Sequence, residues 1–123
     1  MSFIIISYIV NILVAGVMGS LLFFNLKGKL KERILKVFGE NTSGRQILAC
    51  LYLSIAIFSI IGLFNETYFF KIALFLFPFQ ILYKTLTLIS VKDKSNPVPY
   101  FNLAISILHM ISVYQIIQSG ILI

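Results

Sequence analysis

Polar residues are sparse along this chain and fall in clusters, so the apolar runs between them set its architecture. Four such runs extend from about Phe3 to Leu26, Gln46 to Phe64, Tyr68 to Val91 and Tyr100 to Ser119. At ~1.5 Å of rise per residue each is long enough, as a helix, to cross the ~30 Å hydrocarbon layer of a bilayer. None alternates with the two-residue period of a half-buried strand. The pattern predicts an all-α polytopic membrane protein, a four-transmembrane-helix bundle forming one domain over residues 1–123.

The segments between the runs have characters of their own. From Lys27 to Phe38, Leu30, Ile34, Val37 and Phe38 share one helical face, while Lys29, Arg33 and Lys36 share the other. That spacing predicts a basic amphipathic helix between the first and second spans, placing those three cations among anionic lipid headgroups. A charged loop that only fixes topology is the plainer alternative. Ser43 and Gln46 have capping-box spacing for the second span, and Thr67 stands where an N-cap would start the third. The first run has no basic residue before it, so it reads as a retained span rather than a cleaved leader.

Within the runs, the few polar and small residues mark the faces expected to meet protein. Ala15 with Gly19, and Gly16 with Ser20, are small pairs four apart that permit close helix approach. In the third run Gln80, Tyr83, Lys84 and Thr87 fall on one face around Pro78, whose ring removes a helical hydrogen bond and favours a kink. In the fourth, Asn102, Ser106, His109 and Ser112 form a second polar stripe, and Asn11 is the strongly polar side chain inside the first. Counting from the helix ends puts Lys84 and His109 at one depth, with Ser54 of the second run near it. A lysine on a helix leans toward that helix's N-terminus, here away from the nearer interface, so Lys84 is expected inside the bundle rather than snorkelled.

Composition agrees with a membrane chain: 59% hydrophobic, 11% charged, mean hydropathy +1.01. The net charge of +6 does not point to nucleic acid, because the basic residues flank apolar spans where anionic lipid is the nearer partner. The loops after the first and third spans hold Lys27, Lys29, Lys31, Arg33, Lys36, Arg45, Lys92 and Lys94, against Lys71 on the other side. Positive-inside asymmetry therefore predicts a multi-pass protein of the inner (cell) membrane with both termini outside the cytoplasm.

The candidate chemistry is limited. Glu32, Glu40, Glu66 and Asp93 all lie between spans, so no carboxylate within a span is available to pair with Lys84. One histidine offers no metal set, no acid stands ready to orient it against a serine, and no cofactor is implied. A single cysteine, Cys50, excludes an intramolecular disulfide and is expected as a buried thiol. Lys84, His109, Gln80, Tyr83, Asn11 and Asn102 are the candidate ligand-binding residues, for a small anionic or lipid-like ligand in a binding or transport bundle. A structural or accessory membrane subunit, whose polar stripes serve packing and whose basic first loop contacts anionic lipid or a partner membrane protein, is the alternative; an enzyme using Lys84 and His109 is the less favoured third reading.

Gln80-Ile81-Leu82-Tyr83-Lys84 on the third span, followed by Pro97-Val98-Pro99 before the fourth, resembles a group of small bacterial four-helix membrane proteins, DoxX-like in layout. The resemblance covers the second to fourth spans better than the first. It implies a four-helix fold and carries no activity, because the group has none assigned.

Overall fold

The first apolar run forms helix α1, and it is not uniform. Its α-helical turns over Ser2–Val10 and Gly16–Phe23 flank a π-helical turn over Asn11–Ala15. The basic segment is α2 (Lys29–Phe38); α3 covers Ser43–Phe64, α4 Phe69–Ser90 and α5 Val98–Gln118. The computed structural model describes residues 2–24, 29–91 and 95–120, without the side chains of 2 and 29–31. The topology cations Lys27, Lys92 and Lys94, and the side chains of Lys29, Leu30 and Lys31, lie outside the described residues. Among those described there is no strand, and α1, α3, α4 and α5 are long and apolar enough to cross a membrane. The chain is an all-α, multi-pass four-helix bundle with α2 between its first two spans.

Helix ends correct the sequence expectation where a different backbone group takes the cap. Thr42, in extended backbone, caps α3 by accepting the Arg45 N–H at 3.3 Å, so Ser43 is already helical and the proposed capping box does not form. Thr67 does not cap α4. Its own N–H donates to Asn65 Oδ1 at 3.0 Å in a turn, and α4 begins two residues later. α5 begins at Val98, with Pro99 in the first turn, where a missing N–H leaves nothing unpaired. α4 runs unbroken through Pro78, whose exposed ring faces away from the bundle. α2 stops because Gly39 takes the left-handed conformation, φ +81°, that a β-carbon disfavours.

Small residues decide how closely the helices meet. A β-carbon on Gly19 would lie 3.0 Å from the Leu53 backbone nitrogen, and one on Gly62 would lie 2.6 Å from the Tyr8 ring. Tyr8 is fully buried, packs its ring on Phe69 and Phe77, and donates its hydroxyl to the Phe69 carbonyl. Around it Ile4, Ala73, Phe77 and Ile116 form one core cluster. A second, toward α2, joins Ala15, Leu22, Ala49, Tyr52, Ile55 and Ala56 with Ile34 of α2 itself. Phe38 adds an edge contact to Tyr52. α2 docks Ile34 and Phe38 into the end of the bundle, while Arg33 and Lys36 are exposed.

Two residues of α3 face the other way from expectation. Cys50 is exposed, and so is Ser54, whose hydroxyl bonds back to the Cys50 carbonyl at 2.8 Å. The buried stripe of α3 is instead Ala49, Tyr52, Ala56, Ser59 and Gly62. In a bilayer both faces of a span are apolar, so the residue type of a cysteine or serine does not by itself say which face meets protein.

Candidate functional site

The π-helical turn of α1 positions the centre of the polar layer. Before it, α1 packs mainly on α5; from it onward, α1 packs on α3. Asn11, at the first residue of the turn, is buried where the packing changes over. Its Nδ2 donates to Gln80 Oε1 at 2.7 Å, and Gln80 Nε2 donates back to Asn11 Oδ1 at 2.9 Å. His109 Nε2 meets the same Oδ1 at 3.1 Å, so with the amides in this orientation Nε2 carries the proton and Nδ1 is the bare nitrogen. The imidazole is stacked on Phe77, centroids 4.7 Å apart and planes 4° from parallel. Side chains of α1, α4 and α5 are thereby joined in one tier.

Next to this tier, nearer the core cluster around Tyr8, Ser7 Oγ lies 2.6 Å from Ser112 Oγ. Ser112 directs its own hydrogen to the carbonyls of Phe3 at 2.8 Å and Leu108 at 3.1 Å, which leaves a lone pair for the Ser7 hydroxyl. On the opposite side of the tier is Lys84, 5% exposed, whose Nζ donates to Asn102 Oδ1 at 3.0 Å and sits 5.1 Å from the Tyr83 ring centre. Lys84 and His109 share no hydrogen bond. α4 ends at Ser90 and α5 starts at Val98, so Lys84 is six residues from its helix end and His109 eleven from its own. Asn102, four residues in from Val98, is therefore nearer the level of the lysine than His109 is.

Of the six candidate ligand residues, Asn11, Gln80 and His109 form one cluster and Lys84 with Asn102 another. The sixth, Tyr83, turns its ring toward the second core cluster, and its buried hydroxyl, beside Gln80, is in hydrogen-bond geometry with no described group. Thr87, expected beside Lys84, bonds instead to the Tyr83 carbonyl of its own helix at 2.8 Å. Three further buried polar atoms have no partner among the described residues: Ser59 Oγ, Ser106 Oγ and His109 Nδ1. Sequence reasoning missed Ser7, Tyr8 and Phe77, and offered Ser59 only as a small packing residue. Only Ser7 carried a signal, one turn before Asn11 on the same face.

A cavity of about 540 Å³ opens beside the lysine. Leu13, Val14, Val17 and Met18 of α1, Ile34 and Phe38 of α2, and Phe101 and Ile105 of α5 give it an almost wholly apolar wall. Its polar side chains are Asn11, Gln80, Lys84, Asn102 and Tyr52, with Arg33 on the α2 side. His109 and Tyr83 do not line it. The arrangement can hold an apolar body and offer a cation and amide groups to one polar end. Among the described residues no group of histidine, cysteine or carboxylate side chains is placed to hold a metal ion.

No protein family matches this chain, and neither a curated protein nor a solved structure is similar to it.

Proposed function

We propose that this protein is a membrane binding or transport bundle that receives a small anionic or lipid-like ligand at Lys84. One observation carries the reading: an apolar cavity of about 540 Å³ ends on a buried lysine whose hydrogen-bond partner is the neutral Asn102 amide. A buried cation without a carboxylate is costly, and a ligand anion is the partner that would offset that cost. The cavity lies within the ~300–1,000 Å³ range of small-molecule sites. The eight-to-one loop charge supports placement in a bacterial inner membrane with both termini outside, α2 then lying on the cytoplasmic side with Arg33 and Lys36 toward anionic headgroups.

The test is native mass spectrometry of protein extracted gently from its own membrane, wild type beside Lys84→Met. A bound mass present in wild type and absent from the variant is the expected result. The same spectra for both, with equal thermal stability in detergent, would remove the site. A cysteine introduced at Ser2 should be labelled from outside the cell, and labelling only from the cytoplasm reverses the topology.

A second reading, a structural or accessory subunit, draws on the Asn11–Gln80–His109 tier. Its reciprocal amide pair is closed on itself and presents what a helix-register lock requires. Under that reading Lys84→Met destabilises the bundle and removes no bound mass.

A further inference from the structure

We infer that the ligand is a single-chain carboxylic acid taken sideways from the bilayer between α1 and α5, with its carboxyl group at Lys84 and its tail directed outward past Val17 and Phe101. This rests on the reading of the cavity as a ligand site. The direction of access comes from residues that belong both to the cavity wall and to the outer surface of the spans. Leu13, Val17 and Phe101 are 60%, 52% and 65% exposed, and all three line the cavity. Their outer surface faces hydrocarbon in a bilayer, so the cavity opens to lipid tails rather than to water.

At the α2 end Arg33 and Pro97 are exposed and also line the cavity, but the packing there is tied. Ile34 is buried in the core there, and two bonds fasten α2 to its neighbours: Asn96 Nδ2 to the Val37 carbonyl at 3.0 Å, and Arg45 Nη1 to the Gly39 carbonyl at 2.9 Å. Polarity along the cavity sets the ligand's direction. The lipid-facing opening is apolar, and the polar groups Asn11, Gln80, Lys84 and Asn102 stand at its inner end. An amphiphile that satisfies both ends goes in head first.

Head-first passage along an apolar wall selects the head. A carboxylic acid is neutral while protonated and crosses such a wall without an ion to desolvate, whereas a phosphate monoester keeps charge at neutral pH. Before the acid arrives Lys84 is the uncharged amine, because an ammonium there would have no carboxylate beside it; the acid's O–H bond breaks as its proton takes the Nζ lone pair, and carboxylate and ammonium are left in contact with no other reactant needed. Asn102, already bonded to Nζ, keeps the lysine aimed at the cavity. A cavity of this size holds a ligand of one chain.

The experiment uses the full chain in nanodiscs of phosphatidylcholine and palmitic acid bearing a diazirine at the tail end. After photolysis, adducts are mapped by mass spectrometry, with palmitic acid, hexadecanol and hexadecyl phosphate as competitors. Expected are adducts at the α1–α5 opening, around Leu13, Val17 and Phe101, that palmitic acid competes away and the other two do not. Lys84→Met should weaken labelling about tenfold or more, the loss of one favourable ionic contact. Lys84→Gln keeps a polar side chain in the layer but has no base to take the acid's proton, so it should weaken labelling as the methionine variant does and serves as the comparison if that variant does not fold. Val17→Trp, on the lipid face and outside the polar layer, should slow labelling. Adducts along α2 between Arg33 and Phe38 would reverse the orientation and overturn the inference. Competition by hexadecyl phosphate in preference to palmitic acid would overturn the carboxylate while leaving the ligand site standing. Labelling that is absent, or unchanged in all three variants, would end both.

Discussion

Replacing Asn11 by leucine, which is close to it in size, should destabilise the bundle more than any other single polar substitution in the spans. The change deletes three hydrogen bonds at once and leaves the Gln80 amide and His109 Nε2 buried without partners. Each orphaned group costs ~1–3 kcal/mol, although interhelical hydrogen bonds in membranes average nearer ~0.6, so the sum is roughly 2–5 kcal/mol. Gln80→Leu orphans only Asn11 Nδ2, since Oδ1 keeps the histidine, and should cost ~1–3 kcal/mol. The double variant removes both amides and leaves His109 Nε2 alone, so it should be no less stable than Asn11→Leu. The coupling energy is therefore expected to be roughly 1–3 kcal/mol in favour of the pair. Unfolding in mixed micelles of rising denaturing-detergent fraction, followed by circular dichroism, measures all four corners of the cycle. Additivity to within ~0.5 kcal/mol would mean that the two side chains do not recognise each other, and the tier would have to be rebuilt.

Gly62→Ala should cost roughly 1–3 kcal/mol by overpacking, because the new methyl meets a Tyr8 ring fixed by its hydroxyl bond, and Gly16→Ala should be neutral or stabilising, since its β-carbon would sit 3.7 Å from Ala56. Thermal midpoints in one detergent compare the two, and equal effects would contradict the helix spacing. Cys50→Leu should change stability by less than ~0.5 kcal/mol at its exposed position; a loss above ~1 kcal/mol would return the residue to the core. Arg33→Gln with Lys36→Gln, both exposed on α2, should reduce the preference of the protein for phosphatidylserine over phosphatidylcholine in a lipid-exchange assay by about 1 kcal/mol per charge removed, and unchanged preference would leave these cations a topology role only.

The spans and the polar membership of the layer were legible because a buried lysine, two amides and a histidine are conspicuous in chains of leucine, isoleucine and phenylalanine. Their partners were less so. Counting from helix ends at Lys92 and Tyr100 matches Lys84 to His109, whereas ends at Ser90 and Val98 bring the lysine nearer Asn102, the group it bonds. Helix faces were harder still. Along α3 the sequence offers Cys50, Ser54, Ala56, Ser59 and Gly62 as equally small, and only the seat that Gly62 gives Tyr8 and that Ala49 takes in the core says which of them point inward. The π-helical turn left no trace at all, since it arises from how α1 meets two different neighbours and not from any residue that prefers that geometry.

That turn gives α1 an uneven sensitivity to its own length. A π-helical turn holds one residue more than the α-helical turn it replaces and absorbs it, so the two flanks keep nearly the relation they would have in an uninterrupted helix one residue shorter. Loss of a single codon within the turn over Asn11–Ala15, after Asn11 itself, would let the helix close up as ordinary α with Gly19 still on Leu53 and Val17 still at the opening of the cavity. The same loss on either side of the turn has no spare residue beside it and turns the stretch beyond by about 100°. The helix should therefore tolerate one deletion inside the turn and hardly any outside it.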